Sequence, residues 1–186
     1  MGVATVSTCS DTVSGSITGL DNSTMSGVYD PFHASAVAGT AGIDNTTGCI
    51  SAASLVASLG GPTGTAGVKT QYAVTSSSSI AWKQKYYSDS SCSTEIASIT
   101  FSFTDVTLGD NVTGLTTSVG GKTYSSTATK VSYKQSCLGA KASSDVGVTW
   151  LKARFSDTPL DPTVGTSYSC VVDGSTTNAF MHVDNA

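Results

Sequence analysis

Covalent, metal and acid–base chemistry has few side chains to draw on in this chain: five cysteines, two histidines and thirteen acids, of which Glu95 is the only glutamate. Cys9, Cys49, Cys92, Cys137 and Cys170 are widely spaced. Without a C-x-x-C pair they support neither a zinc site nor a thioredoxin-like motif. Wide spacing in a weakly charged, Ser/Thr-rich chain fits structural disulfides, which persist in oxidising compartments. An odd count leaves one thiol over. Five choices of the odd cysteine and three pairings of the rest allow 15 arrangements. The expected pair of bridges is Cys49–Cys92 and Cys137–Cys170, with Cys9 left over because it lies nearest a terminus, where ordering is weakest. A nested alternative ties Cys9 to Cys170 or to Cys137.

His33 follows Asp30-Pro31-Phe32 in a turn-like context, and His182 alternates with Met181 and Val183 near the C-terminus. A Ser-His-Asp or Cys-His site needs a nucleophile beside its base, and no Gly-x-Ser-x-Gly elbow is present. The aspartates fall mainly in turns, as at Asp21-Asn22, Asp30-Pro31, Asp110-Asn111 and Asp173-Gly174, where the side chain caps local amides. No segment meets the EF-hand pattern. The Gly-rich stretch 60–67 next to Lys69-Thr70 lacks the Gly-Lys step of a phosphate loop. Catalytic residues, metal ligands and cofactors are therefore assigned to none of these positions, and a non-enzymatic role is expected.

Aromatic side chains are the stronger functional signal. Trp82, Tyr86, Phe101, Phe103 and Trp150 fall on segments expected to be strands. Such rings either pack a core or line a concave apolar pocket, and the second reading makes these five the candidate ligand-binding residues.

The elements that must position them are mostly strands. Residues 80–86 alternate, with Ile80, Trp82 and Tyr86 on one face and Lys83 and Lys85 on the other. Ser88 to Ser91 reads as a turn, and residues 96–108 continue the alternation through Ile99, Phe101 and Phe103. Further strands are expected at 3–7, 13–17, 69–74, 123–133, 146–155, 167–172 and 179–183. The one expected helix, at 51–59, is stopped by Gly60-Gly61-Pro62. Gaps of 40, 43, 45 and 33 between the cysteines suggest a repeat that their flanking residues do not support.

Composition agrees with a single β domain over all 186 residues. Charged residues make up only 12%, and the surface is built from Ser, Thr and Asn rather than from the Glu, Lys and Arg of helix surfaces. The net charge is −4 and the nine basic residues form no cluster in sequence, which argues against a nucleic-acid partner and against a basic membrane-surface helix. No apolar run approaches the roughly 20 residues of a transmembrane helix. Residues 3–10 lack the features of a signal peptide, so Met1 reads as the initiator of a mature, secreted or surface-exposed chain.

Residues 80–101, with Tyr87-Ser88-Asp89 and Cys92 between two alternating strands, resemble a segment of small exported bacterial lipocalin-like domains, many of them lipoproteins. The resemblance covers about Thr70 to Tyr133. The opening Gly-x-Trp of those domains is absent here, with Gly27-Val28-Tyr29 nearest to it, and Val6-Ser7-Thr8 before Cys9 is a poor lipidation context. The period-two segments and the near absence of Glu predict one antiparallel barrel or sandwich of roughly eight to ten strands with at most one or two short helices, and the resemblance implies a lipocalin-like form of it. Its expected function is to hold a small apolar ligand without chemistry. The alternative is a structural subunit of an extracellular filament or adhesin, joined to copies of itself through terminal strands. Gly27-Val-Tyr-Asp-Pro-Phe32 is similar to a segment of spore-coat-U-type pilus subunits and points the same way.

Overall fold

The computed structural model describes residues 5–18, 24–26, 28–29, 43–44, 47–114, 118–119, 122–123, 128–156, 161–172, 174 and 176–181. His33, His182, Asp21, Asp30 and Asp173 lie outside them, as do parts of the expected end strands at 3–7 and 179–183. Six short strands come first: β1 (Thr5–Val6), β2 (Ser16–Thr18), β3 (Thr24–Ser26), β4 (Val28–Tyr29), β5 (Ile43–Asp44) and β6 (Cys49–Ile50). After helix α1 (Ala53–Ser58) come β7 (Gly67–Ser76), β8 (Ser79–Tyr87), β9 (Glu95–Val112), β10 (Ser118–Val119), β11 (Lys122–Thr123) and β12 (Ala128–Ala142). Helix α2 (Asp145–Arg154) precedes β13 (Ser167–Val171) and β14 (Thr176–Met181).

Ten of these strands form one sheet in the order β1-β13-β12-β9-β8-β7-β6-β5, with β14 also on β12 and β4 also on β7. The pairings are antiparallel, and the end strands β1 and β5 do not meet. The chain is thus all-β, its described residues forming mainly an open antiparallel sheet with two short helices.

The sheet's framework is the meander β7-β8-β9-β12. Trp82 stands opposite Tyr72 on one side and Phe101 on the other, so the aromatic residues meet as cross-strand neighbours. Two buried clusters occupy this inner face. One gathers Ile17, Val74, Ile80, Val106, Leu108 and Val131. The other gathers Ile50, Val56, Val68, Tyr86, Ile99, Leu138 and Cys170.

Irregularities in the β9–β12 ladder decide which residues face inward. From Thr104 to Thr107 β9 advances three residues while β12 advances two, and Asp105 takes a φ of 53° there. The extra residue moves the inward set from odd numbers (Ile99, Phe101, Phe103) to even ones (Val106, Leu108). On β12 the extra residue is Ser136. The inward set passes there from Val131, Tyr133 and Gln135 to Leu138, Ala140 and Ala142. Of the strand expected at 123–133, Thr123 ends β11, residues 124–127 lie outside the described residues, and the rest belongs to β12. That strand runs on to Ala142 because β9 on one edge and β13 on the other supply backbone partners that its Ser, Gly and Ala residues do not advertise.

The expected strand at 146–155 is corrected to helix α2. Its start is capped by Ser144, whose hydroxyl accepts the Gly147 N–H at 3.2 Å. Asp145 lies in the first turn and Lys152 and Arg154 in the last, which suits the helix dipole. Val148, Leu151 and Phe155, at helical spacing, pack on Ala140 and Ala142. Gly147 lets the helix settle on β9, since a Cβ there would approach the Ile96 carbonyl well inside the 3.0 Å that real Cβ atoms keep.

Residues 9–14 cross the opposite, outer face of the sheet. Ser102 Oγ donates to the Ser10 carbonyl at 3.3 Å, Lys83 Nζ meets Asp11 at 2.6 Å, and the Ser14 N–H donates to the Val74 carbonyl at 2.9 Å. A disulfide from Cys9 to Cys137 fixes this strap, with Cα atoms 5.8 Å apart, and the second bridge joins Cys49 to Cys92. The expected Cys137–Cys170 bridge is therefore corrected: Cys9 is bonded, as in one of the nested alternatives, and Cys170 is the free, buried thiol. The reason is the pleat. Cys137 pairs with Val171 and Leu138 with Cys170, and this one-residue offset sends the two sulfur-bearing side chains to opposite faces.

Candidate binding cavity

Between the two inner clusters lies a cavity of about 490 Å³. β7 contributes Tyr72, and β8 contributes Ile80, Trp82 and Gln84. Ile99, Phe101, Phe103 and Val106 come from β9, and Val131, Tyr133 and Gln135 from β12. Arg154, the last residue of α2, completes the wall and is exposed.

The rings brace one another across strands. Trp82 and Phe101 have centroids 5.0 Å apart at 46°, and Phe103 meets Tyr133 edge-on at 4.9 Å. Such pairs add about 0.5–1.5 kcal/mol beyond the area they bury, so the wall is preformed. Burial, then the neighbouring Tyr133, pushes the Tyr72 hydroxyl above its ordinary 10.0. Its hydroxyl stays a donor at neutral pH.

At the α2 end the wall turns polar. Gln84 is only 5% exposed, and its Oε1 accepts the Tyr86 hydroxyl at 2.9 Å, with the Leu59 carbonyl 3.3 Å from the same hydroxyl. The Gln84 Nε2 donors have no acceptor among the described residues. Burial raises the Tyr86 pKa, partly offset by Arg154. The Tyr86 ring meets Trp150 edge-on at 5.1 Å, and the Arg154 guanidinium lies 5.4 Å from the centre of the Trp150 ring.

Of the five candidate ligand-binding residues, Trp82, Phe101 and Phe103 line the cavity. Tyr86 and Trp150 do not; they pack together in the cluster beneath it, Trp150 from the helix. Residues missed from sequence include Tyr72, Gln84, Tyr133, Gln135 and Arg154. Gln84 shares the parity of Trp82 and was legible on that ground. Tyr133 and Gln135 share a face with Tyr72 only through the strand order, and Arg154 arrives from another element.

The disulfide candidates Cys49 and Cys92 anchor the turn after β8. Asp89 organises that turn by accepting the Ser91 hydroxyl at 2.5 Å and the Ser93 and Thr94 amides at 3.0 and 2.7 Å. These bonds hold its carboxyl well below the usual carboxylate range. Cys92 takes a φ of 54° in the same turn. Tyr87 is pushed up to about 12 by burial, then by Glu95 and Asp89. This site is structural: its polar groups satisfy one another.

The outer face carries a basic row that the sequence scatters. Lys69 stands directly opposite Lys85, and Ser98 separates Lys85 from Lys141 in the same row. Among the described residues no group of three or more His, Cys, Asp or Glu is placed to hold a metal ion. None of their helices is long and apolar enough to cross a membrane. Compared with protein-family models, curated proteins and solved structures, the chain matches none of them.

Proposed function

We propose that the chain is a non-enzymatic binding domain of lipocalin-like kind, secreted or displayed at a cell surface, that holds a small apolar ligand in the cavity. The observation that carries this reading is the cavity itself: about 490 Å³ left open between two packed clusters and walled by Tyr72, Trp82, Phe101, Phe103 and Tyr133. Small-molecule sites typically enclose about 300–1,000 Å³ with mostly apolar, aromatic walls and a few placed polar groups. An apolar ligand there would take ring surface out of water, which contributes about 25 cal/mol per Å² of apolar area covered. The two disulfides support an oxidising compartment.

The filament reading receives less support. β1 and β14 pair with β13 and β12 of their own sheet, and the Cys9–Cys137 bridge ties down the segment just after β1. A donated terminal strand would have to leave those partners.

Titration with neutral probes, decanol and retinol, tests the binding reading through the fluorescence of Trp82 on the cavity wall. Saturable quenching is expected, and Gln135→Phe, which narrows the cavity, should weaken it. No response to any probe, or a response indifferent to that substitution, would defeat the proposal.

A further inference from the structure

Arg154 is the chain's only arginine, and it lies on the wall of a cavity whose other described lining residues are aromatic, aliphatic or the uncharged Gln84 and Gln135. Among the described residues no acid joins it there, and none of their ion pairs involves it. The helix's other late cation, Lys152, is by contrast paired with Asp161 at 2.8 Å. The guanidinium is oriented by the Trp150 ring, and Trp150 in turn packs on Tyr86, which is bonded to Gln84. Among the described residues the Gln84 Nε2 donors are unused and the guanidinium is unpaired, and both residues line the cavity.

Both groups are donors. A buried amide that donates to nothing is costly, about 1–3 kcal/mol for a typical unsatisfied group, and such a group inside a cavity marks where a ligand acceptor would sit. A planar guanidinium is the side chain best matched to two coplanar oxygens, because it presents two parallel N–H bonds and is weakly hydrated. We propose that the ligand is an apolar monocarboxylate, its body among Trp82, Phe101 and Phe103 and its head on Arg154, within reach of the Gln84 end of the cavity. This rests on the binding reading above and adds the head group to it.

The test compares decanoate, decanol and decylamine, which differ only in the head group, by isothermal titration calorimetry on the full chain at neutral pH. Decanoate should bind at least tenfold more tightly than decanol, and decylamine most weakly. Arg154→Met keeps an apolar stem against Trp150 and removes the charge. It should remove the preference, bringing decanoate to the affinity that decanol has on the same variant, and Arg154→Lys should restore part of the preference. Gln84→Met should weaken decanoate more than decanol, with near-UV circular dichroism checking that each variant is folded. Should either variant fail to fold, the comparison of the three probes on the unaltered chain decides. Equal affinities for decanoate and decanol, or a preference that survives Arg154→Met, overturns the head-group assignment and leaves the cavity reading standing. No binding of any of the three overturns both.

Discussion

Replacing Cys9 and Cys137 together by serine releases the strap and opens a connection that spans 128 residues of sequence. In the chain-entropy model a bridge of that span contributes about 5 kcal/mol. The Cys49–Cys92 bridge lies inside it and short-circuits 43 of those residues, leaving a free path of about 85 (128 less 43). The contribution then falls to about 4.5 kcal/mol, and residual structure in the unfolded chain lowers it further, so a loss of about 2–4.5 kcal/mol is expected. The Asp11–Lys83 pair freed at the same time is partly exposed and adds at most about 1 kcal/mol. With a urea slope near the upper end for small proteins, about 3 kcal/mol per molar, the midpoint should fall by about 0.7–1.8 M. Urea denaturation followed by tryptophan fluorescence reads the shift. Non-reducing peptide mapping of the unaltered chain should link Cys9 to Cys137, with the Cys170 thiol reacting only after unfolding. A loss under about 1 kcal/mol, or a peptide joining Cys137 to Cys170, would refute the reasoning.

Two further substitutions probe the elements that frame the cavity. Gly147→Ala gains about 1 kcal/mol of helix propensity but drives a Cβ into the Ile96 carbonyl. A net loss of about 1–3 kcal/mol in thermal unfolding is expected, and a stabilised variant would mean that α2 does not rest on β9 as described. Asp89→Asn should reveal the carboxyl's depressed pKa through pH dependence. Because the folded value lies below the ordinary 3.8, the stabilisation is complete above 3.8 and is lost as pH falls through the folded value. Thermal melts of the two proteins should therefore differ by a constant amount from about pH 5 to 8 and converge in more acidic solution, and parallel curves throughout would contradict the hydrogen bonding of that turn.

Much of the frame was readable from residue order alone. Period-two alternation from Ile80 through Phe103 needs only the pleat to become two strands with Trp82, Phe101 and Phe103 on one face, and Gly60-Gly61-Pro62 stops a helix wherever it occurs. The wide, isolated cysteines announced disulfides, and the Cys49–Cys92 pair was correctly expected. What residue order could not carry is whatever depends on the parity and partner of a strand. The extra residues at Asp105 and Ser136 each reverse which side chains point inward, so Val106, Leu108 and Leu138 join the inner face against a uniform alternation. Offset by one residue, Cys137 and Cys170 look in opposite directions although their strands are neighbours, and the bond goes to Cys9 on the outer strap instead. The segment from Val146 to Phe155 alternates as well as a strand, yet the Ser144 cap and the fit of Gly147 against Ile96 make it a helix. That helix delivers Arg154 to a cavity built by four strands. Likewise Lys69, Lys85 and Lys141, far apart in sequence, become one row only because β7, β8, β9 and β12 lie side by side. Local chemistry determined the strands and their apolar faces; long-range register, which no local pattern encodes, decided which of those faces enclose a site.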